Sequence, residues 1–258
     1  MGPKFNFSLR VLILAGFFSL PSLFAQSTGK CTPKDMQGAW ATQPNGSFTG
    51  GPVAGPFSAV GTLFFDGVNR FGGIATSSFK GHVIYPFAAD GSYTLTADCR
   101  LTVFEETLRI GFDGWLVNNK SDVIFFEPDP ISVSVNNLRR QNLGTCDLTT
   151  IQDTWTISTT GYNIITSGRF AWNAHLSFDG KGGVAGLGSK SDNGVVTRDA
   201  TYAGTYTVNP SDCSFSMSVG DNTGLRYGYY GSVFDGAKQL ILIMNNIGQV
   251  VTGFGKRQ

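Results

Sequence analysis

The feature that most constrains this 258-residue chain is that it repeats itself. "LFFDGVNRFGGIA", Leu63 to Ala75, returns as "LSFDGKGGVAG", Leu176 to Gly186. The four cysteines give the ruler: Cys31 to Cys99 is 68 residues, and Cys146 to Cys213 is 67. Each leading Cys is followed nine residues later by a Trp, Trp40 and Trp155. Phe65 to Gly91 and Phe178 to Gly204 both span 26 residues, and Leu108 to Gln141 and Leu225 to Gln258 both span 33. Four spacings agreeing within one residue make residues 31–141 and 146–258 two copies of one unit. A linker of 142–145, "NLGT", joins them.

Residues 1–25 stand apart from the repeat. Lys4 and Arg10 precede the apolar run "VLILAGFFSLPSLFA", which ends at Ala25. Charged, then apolar, then small is the pattern of a secretory signal peptide, and this stretch is too short and Pro-interrupted to span a bilayer as a helix. The mature chain is expected to begin near Gln26, so the first domain is 26–141 and the second 146–258, in a secreted or periplasmic protein. Without the leader, 17 Lys and Arg face 18 Asp and Glu. That balance carries no electrostatic footprint for nucleic acid, and no membrane insertion is expected.

Composition sets the class: 34 Gly, 21 Phe and only three Glu leave little helix-forming material. The second copy divides into the runs "DTWTIST", "RFAWNAHLSF", "GGVAGLGSK", "VVTRDATYAGTYTV", "CSFSMSV", "RYGYYGSVF", "KQLILIM" and "QVVTGFG". Asp-Gly at Asp66, Asp90, Asp113, Asp179 and Asp235, and Asn-Gly at Asn45 and Asn193, suit tight hairpin turns. The predicted fold class is all-β: two tandem eight-stranded up-and-down antiparallel barrels, which leave no open edges. "DVIFFEP" and "LILIMN" are apolar on both faces, so an outer cover is expected for both, and the other barrel is the obvious one. The two barrels should therefore be docked on each other.

These residues resemble the calycin barrels, the lipocalins and avidins. "GAW", Gly38 to Trp40, is similar to the Gly-x-Trp that opens lipocalin strand one, and Arg140 and Arg257 stand where that family stacks an Arg over the Trp. The run "FDGKGGVAGLGS…YAGTYTV" is similar to the Gly-rich strands of avidin-type barrels. The pattern departs at Asp153, which replaces the Gly before Trp155, and the lipocalin Thr-Asp-Tyr motif has no match. The resemblance implies that Trp40, Arg140, Trp155 and Arg257 close the barrels structurally.

An even cysteine count in a secreted chain implies disulfides. Of three pairings the duplication favours Cys31–Cys99 and Cys146–Cys213. No metal or cofactor is expected, since there is no Cys-x-x-Cys and the imidazoles are only His82 and His175. Neighbouring Glu105 and Glu106 point to opposite faces of any strand and read as a solvated loop. No catalytic residue is assigned, and an enzyme is not expected. The long segments "TQPNGSFTGGPVAGP" and "STTGYNIITSG" suggest loops over a barrel mouth. The expectation is a secreted, non-enzymatic protein that binds a small apolar or aromatic molecule, or a protein partner, at such a mouth, with Phe57, Trp172 and Tyr229 as inward aromatics. The alternative is a structural or surface-interaction module with solid cores. Interior volume separates them, because ligand sites start near ~300 Å³.

Overall fold

Period-two alternation turns nearly every predicted run into a strand of a computed structural model, which describes residues 30–50, 54–107, 109–128 and 132–258. The predicted leader 1–25 and its cleavage point lie outside the described residues, as do Leu108 and residues 51–53. The first half holds β1 (Gly38–Thr42), β2 (Asn45–Phe48), β3 (Gly55–Phe65), β4 (Arg70–Phe79), β5 (His82–Leu95), β6 (Arg100–Glu105), β7 (Ile110–Val117), β8 (Asp122–Phe126) and β9 (Ser132–Arg140). The second holds β10 (Asp153–Asn163), β11 (Gly168–Phe178), β12 (Gly183–Asp192), β13 (Val195–Val208), β14 (Ser214–Asp221), β15 (Arg226–Phe234), β16 (Gln239–Met244) and β17 (Gln249–Arg257).

Each half closes into its own antiparallel barrel. In the second, β10 pairs with β17 from Trp155 opposite Arg257 to Asn163 opposite Gln249. In the first, β1 and β2 each pair with both β3 and β9, so they are one strand broken at Gln43 and Pro44. Proline has no N–H to give the ladder, which is why the strand breaks there. The two walls share a register: Trp40 faces Leu63 as Trp155 faces Leu176. Both also slip at the same place, between Ala75 and Ser77 and between Gly188 and Lys190.

The loops over the mouth are shorter than the sequence suggested. Asn45–Phe48 is β2 rather than part of a free lid, and β10 runs to Asn163, leaving only 164–167 before β11. Asp66, Asp179, Asn193 and Asp235 do sit in turns, and Asp66 Oδ1 accepts from the backbone N–H groups of Val68, Asn69 and Arg70. Asp90, Asp113 and Asn45 lie inside strands instead. Pairing to neighbouring strands outweighed the turn preference of those dipeptides.

One end of each barrel is plugged the same way. A 3₁₀ turn, Pro33–Met36 or Leu148–Ile151, seats a fully buried Met36 or Ile151 in the floor. Trp40 Nε1 donates to Met36 O at 2.7 Å, and Trp155 Nε1 to Ile151 O at 2.8 Å. The Arg140 guanidinium lies 4.4 Å from the Trp40 ring centre, and Arg257 lies 5.2 Å from that of Trp155. Disulfides Cys31–Cys99 and Cys146–Cys213 tie each floor segment to its barrel. Gly38 has φ +114° and Asp153, at the same place, φ +138°, so the second copy keeps a glycine conformation with a side chain present. Such strain costs about 1–3 kcal/mol. Two disulfides suggest an extracellular or periplasmic location. No described helix is long and apolar enough to cross a membrane.

The barrels dock through unlike faces. Outward Ile241, Ile243 and Phe234 of the second barrel pack on Ala41 and Val60 of the first. Polar contacts ring this cluster. Gln141 Nε2 donates to Ser232 Oγ at 2.7 Å and Val233 O at 2.9 Å, and Thr62 Oγ1 donates to Asp212 O at 3.0 Å. The strand break aims Gln43 Nε2 at Leu242 O and Gly253 O, 3.1 and 2.8 Å away. The apolar outer side of "LILIMN" is thus covered by the first barrel, as expected. That of "DVIFFEP" is not: Ile124 and Phe126 stay half-exposed, because the first barrel docks through β1 and β3 rather than through β8. Ile243 is fully buried, whereas Phe126, its counterpart in the repeat, is 46% exposed. Ile243→Asp should therefore cost more than about 3 kcal/mol in chemical denaturation and Phe126→Asp less than about 1 kcal/mol. Equal costs would mean that the docked face is misassigned.

Candidate functional site

The same wall encloses two different interiors. In the second barrel Trp172, Lys190 and Tyr202 point inward from β11, β12 and β13 and fill the middle. The ring of Trp172 stacks on Tyr229 at 5.4 Å and meets Tyr202 edge-on at 5.3 Å. Shared register places Ala59, Ser77 and Ala89 at the matching points of the first barrel. Two aromatics and a lysine become two methyls and a hydroxymethyl, and the space they vacate is a cavity.

That cavity holds about 100 Å³. It exceeds a packing void yet falls below the ~300 Å³ of typical ligand sites, and lies nearer the ~150 Å³ that admits benzene. Phe65, Phe71 and Leu138 line its floor end and Phe48, Phe57 and Phe79 its rim, with Ala59, Ser77 and Ala89 between. The rim rings pack on one another, Phe48 to Phe57 at 4.8 Å and Phe57 to Phe79 at 5.9 Å. Phe57 thus lies on a cavity wall. Trp172 and Tyr229, the other two aromatics singled out from sequence, sit in the packed core of the second barrel, 3% and 0% exposed, rather than at a mouth. Alternation placed all three inward correctly, but it carried no information on whether the facing side chains fill the space.

Two carboxylic side chains also line this cavity, Glu105 and Glu127. β6 alternates Leu101, Val103, Glu105 inward, and β8 continues Val123, Phe125, Glu127 inward, so strand period alone delivers both. The reading of Glu105 as a loop residue in solvent is corrected here: it is 7% exposed and ends a strand. Glu106 does face out, where it pairs with Arg70. Glu127 is 6% exposed. Its Oε2 accepts from Ser134 Oγ at 3.0 Å, and Ser134 Oγ accepts from Asn136 Nδ2 at 3.1 Å. This polar line runs up the inner face of β9, where the second barrel has Val251 and Gly253. The two histidines are both exposed: His82 begins β5, and His175 Nδ1 lies 3.1 Å from Thr156 Oγ1 on the outer wall.

At the corresponding rim of the second barrel the polar group is self-satisfied. Lys190 Nζ donates to Asp221 Oδ2 and, at 2.6 Å, to the Tyr227 hydroxyl. Burial alone would push the Asp221 carboxyl up, but hydrogen bonds from Lys190 and Thr223 outweigh it and hold the pKa down at about 2. A carboxyl depressed in the folded state stabilises the fold above its ordinary value and loses that contribution as pH falls toward 2. Asp221→Asn, which leaves the buried Lys190 without its charge partner, should cost about 3–5 kcal/mol at pH 7. The gap from the wild type should narrow between pH 4 and pH 2 in denaturant titrations. A gap that holds constant across that range would show that the pair is not coupled to folding.

No protein-family model matches the sequence, and no curated protein matches it either. Solved structures similar to it include a protein of unknown function from the DUF3598 family of Nostoc punctiforme, 9% identical, covering 89% of this chain and 100% of that one at a TM-score of 0.26. Kievitone hydratase from Nectria haematococca is 7% identical over 88% of this chain and 90% of its own, at 0.31. Isotype 1 transferrin binding protein B from serogroup B Neisseria meningitidis is 10% identical over 80% and 66%, at 0.26. Likeness this remote carries nothing about what the chain does.

Proposed function

We propose that this is a secreted protein of two calycin-type barrels, in which the first binds a small, slender apolar molecule without chemical turnover and the second is a solid partner that braces it. One observation carries the reading: Ala59, Ser77 and Ala89 stand in the first barrel where Trp172, Lys190 and Tyr202 fill the second. The stacks of Arg140 on Trp40 and Arg257 on Trp155 support the calycin comparison. Binding rather than catalysis fits the small, mostly apolar middle of the cavity, where Ala59 and Ala89 flank the one hydroxyl, Ser77 Oγ. Restoring the second barrel's filling tests the proposal. Ala59→Trp and Ala89→Tyr should abolish calorimetric binding of n-hexanol, at a stability change of about 1–3 kcal/mol from overpacking. Undiminished binding by folded, filled variants would place the ligand elsewhere.

A further inference from the structure

We infer that the ligand of the first barrel carries a cationic head: a small primary ammonium amphiphile, its tail toward the floor and its charge at the rim. The inference rests on reading the cavity as a ligand site. Two of the chain's three glutamates line that cavity, while among the described residues no Lys, Arg or His does. Glu127 is more than nine-tenths buried, and its Oε1 has no hydrogen-bond partner among the described residues, although Oε2 is held by Ser134. A buried acceptor left unmade costs about 1–3 kcal/mol, and a buried carboxylate is matched in proteins by a cation. Glu105 Oε1 takes a backbone hydrogen bond from Thr107 N at 3.2 Å, and this second carboxylate deepens the negative field of the rim.

The placement also gives the ligand a direction. Phe48 of β2 lies opposite Ser132 of β9, two residues from the Ser134 that holds Glu127, so the aromatic rim and the carboxylates share one end of the barrel. Ring faces there add attraction for a cation. The floor end, at Phe65, Phe71 and Leu138, is apolar and suits a tail. An ammonium group has three donors for the oxygens at the rim, a neutral hydroxyl has one, and a carboxylate ligand meets like charge.

Isothermal titration of the whole protein at pH 7 and low salt, with n-hexylamine, n-hexanol and hexanoate as probes, decides this. The amine should bind at least about tenfold more tightly than the alcohol, and hexanoate most weakly. Glu127→Gln should remove most of the amine's advantage over hexanol, with Glu105→Gln as a smaller second loss. If either variant fails to fold, judged by its melting curve, the order of the three probes on the wild type decides alone. Hexanol binding as tightly as hexylamine would overturn the head-group inference and leave the cavity reading standing. No binding of any probe would overturn both.

Discussion

Each half of the chain closes because its first strand hydrogen-bonds to its last, and everything else depends on that closure. Trp40 pairs with Leu63 on one side and Arg140 on the other; Trp155 does the same with Leu176 and Arg257. A closed ladder satisfies the backbone without help from the interior. Inward side chains can then change size without opening the wall. The two copies differ in this way: the first has Ala59 and Ala89 where the second has Trp172 and Tyr202.

The outer faces diverged as well, and this fixes how the barrels sit together. Ile241 and Ile243 meet Ala41 and Val60, while the matching positions of the second barrel, Thr156 and Asn173, are polar and face away. An interface between unlike faces does not propagate when only one copy of each face is adapted to it. Pro44 contributes from a distance, because the strand break it causes frees Gln43 to reach the second barrel's backbone.

Architecture was legible from sequence because duplication supplies an internal control. The duplication singled out both disulfides, and the lipocalin resemblance pointed to the Trp–Arg stacks. Alternation and turn dipeptides located strands that in the second copy fall within a few residues of the predicted runs. The candidate site was only half legible. "VIFFE" and "RLTVFE" place Glu127 and Glu105 on the inward face by simple alternation; for Glu105 that signal was outweighed by the look of an acidic pair in a loop, and Glu127 was passed over. Comparing the copies position by position, Ala59 against Trp172 and Ala89 against Tyr202, also marks the hollow barrel. The mouth loops misled because glycine and proline density stood for a loop where β2 pairs on both sides, and Asp90-Gly and Asp113-Gly lie within strands whose neighbours pair with them. Covering of "DVIFF" was beyond local pattern, since it depends on which faces of two barrels meet.

The account's central claim is that one wall encloses a hollow barrel and a solid one. Diffraction from crystals held under xenon measures that directly, because xenon enters apolar space without needing a specific contact. The account predicts xenon among Phe57, Phe65 and Phe71 of the first barrel and none beside Trp172 and Tyr229 of the second. Xenon in neither barrel, or in both alike, would contradict it.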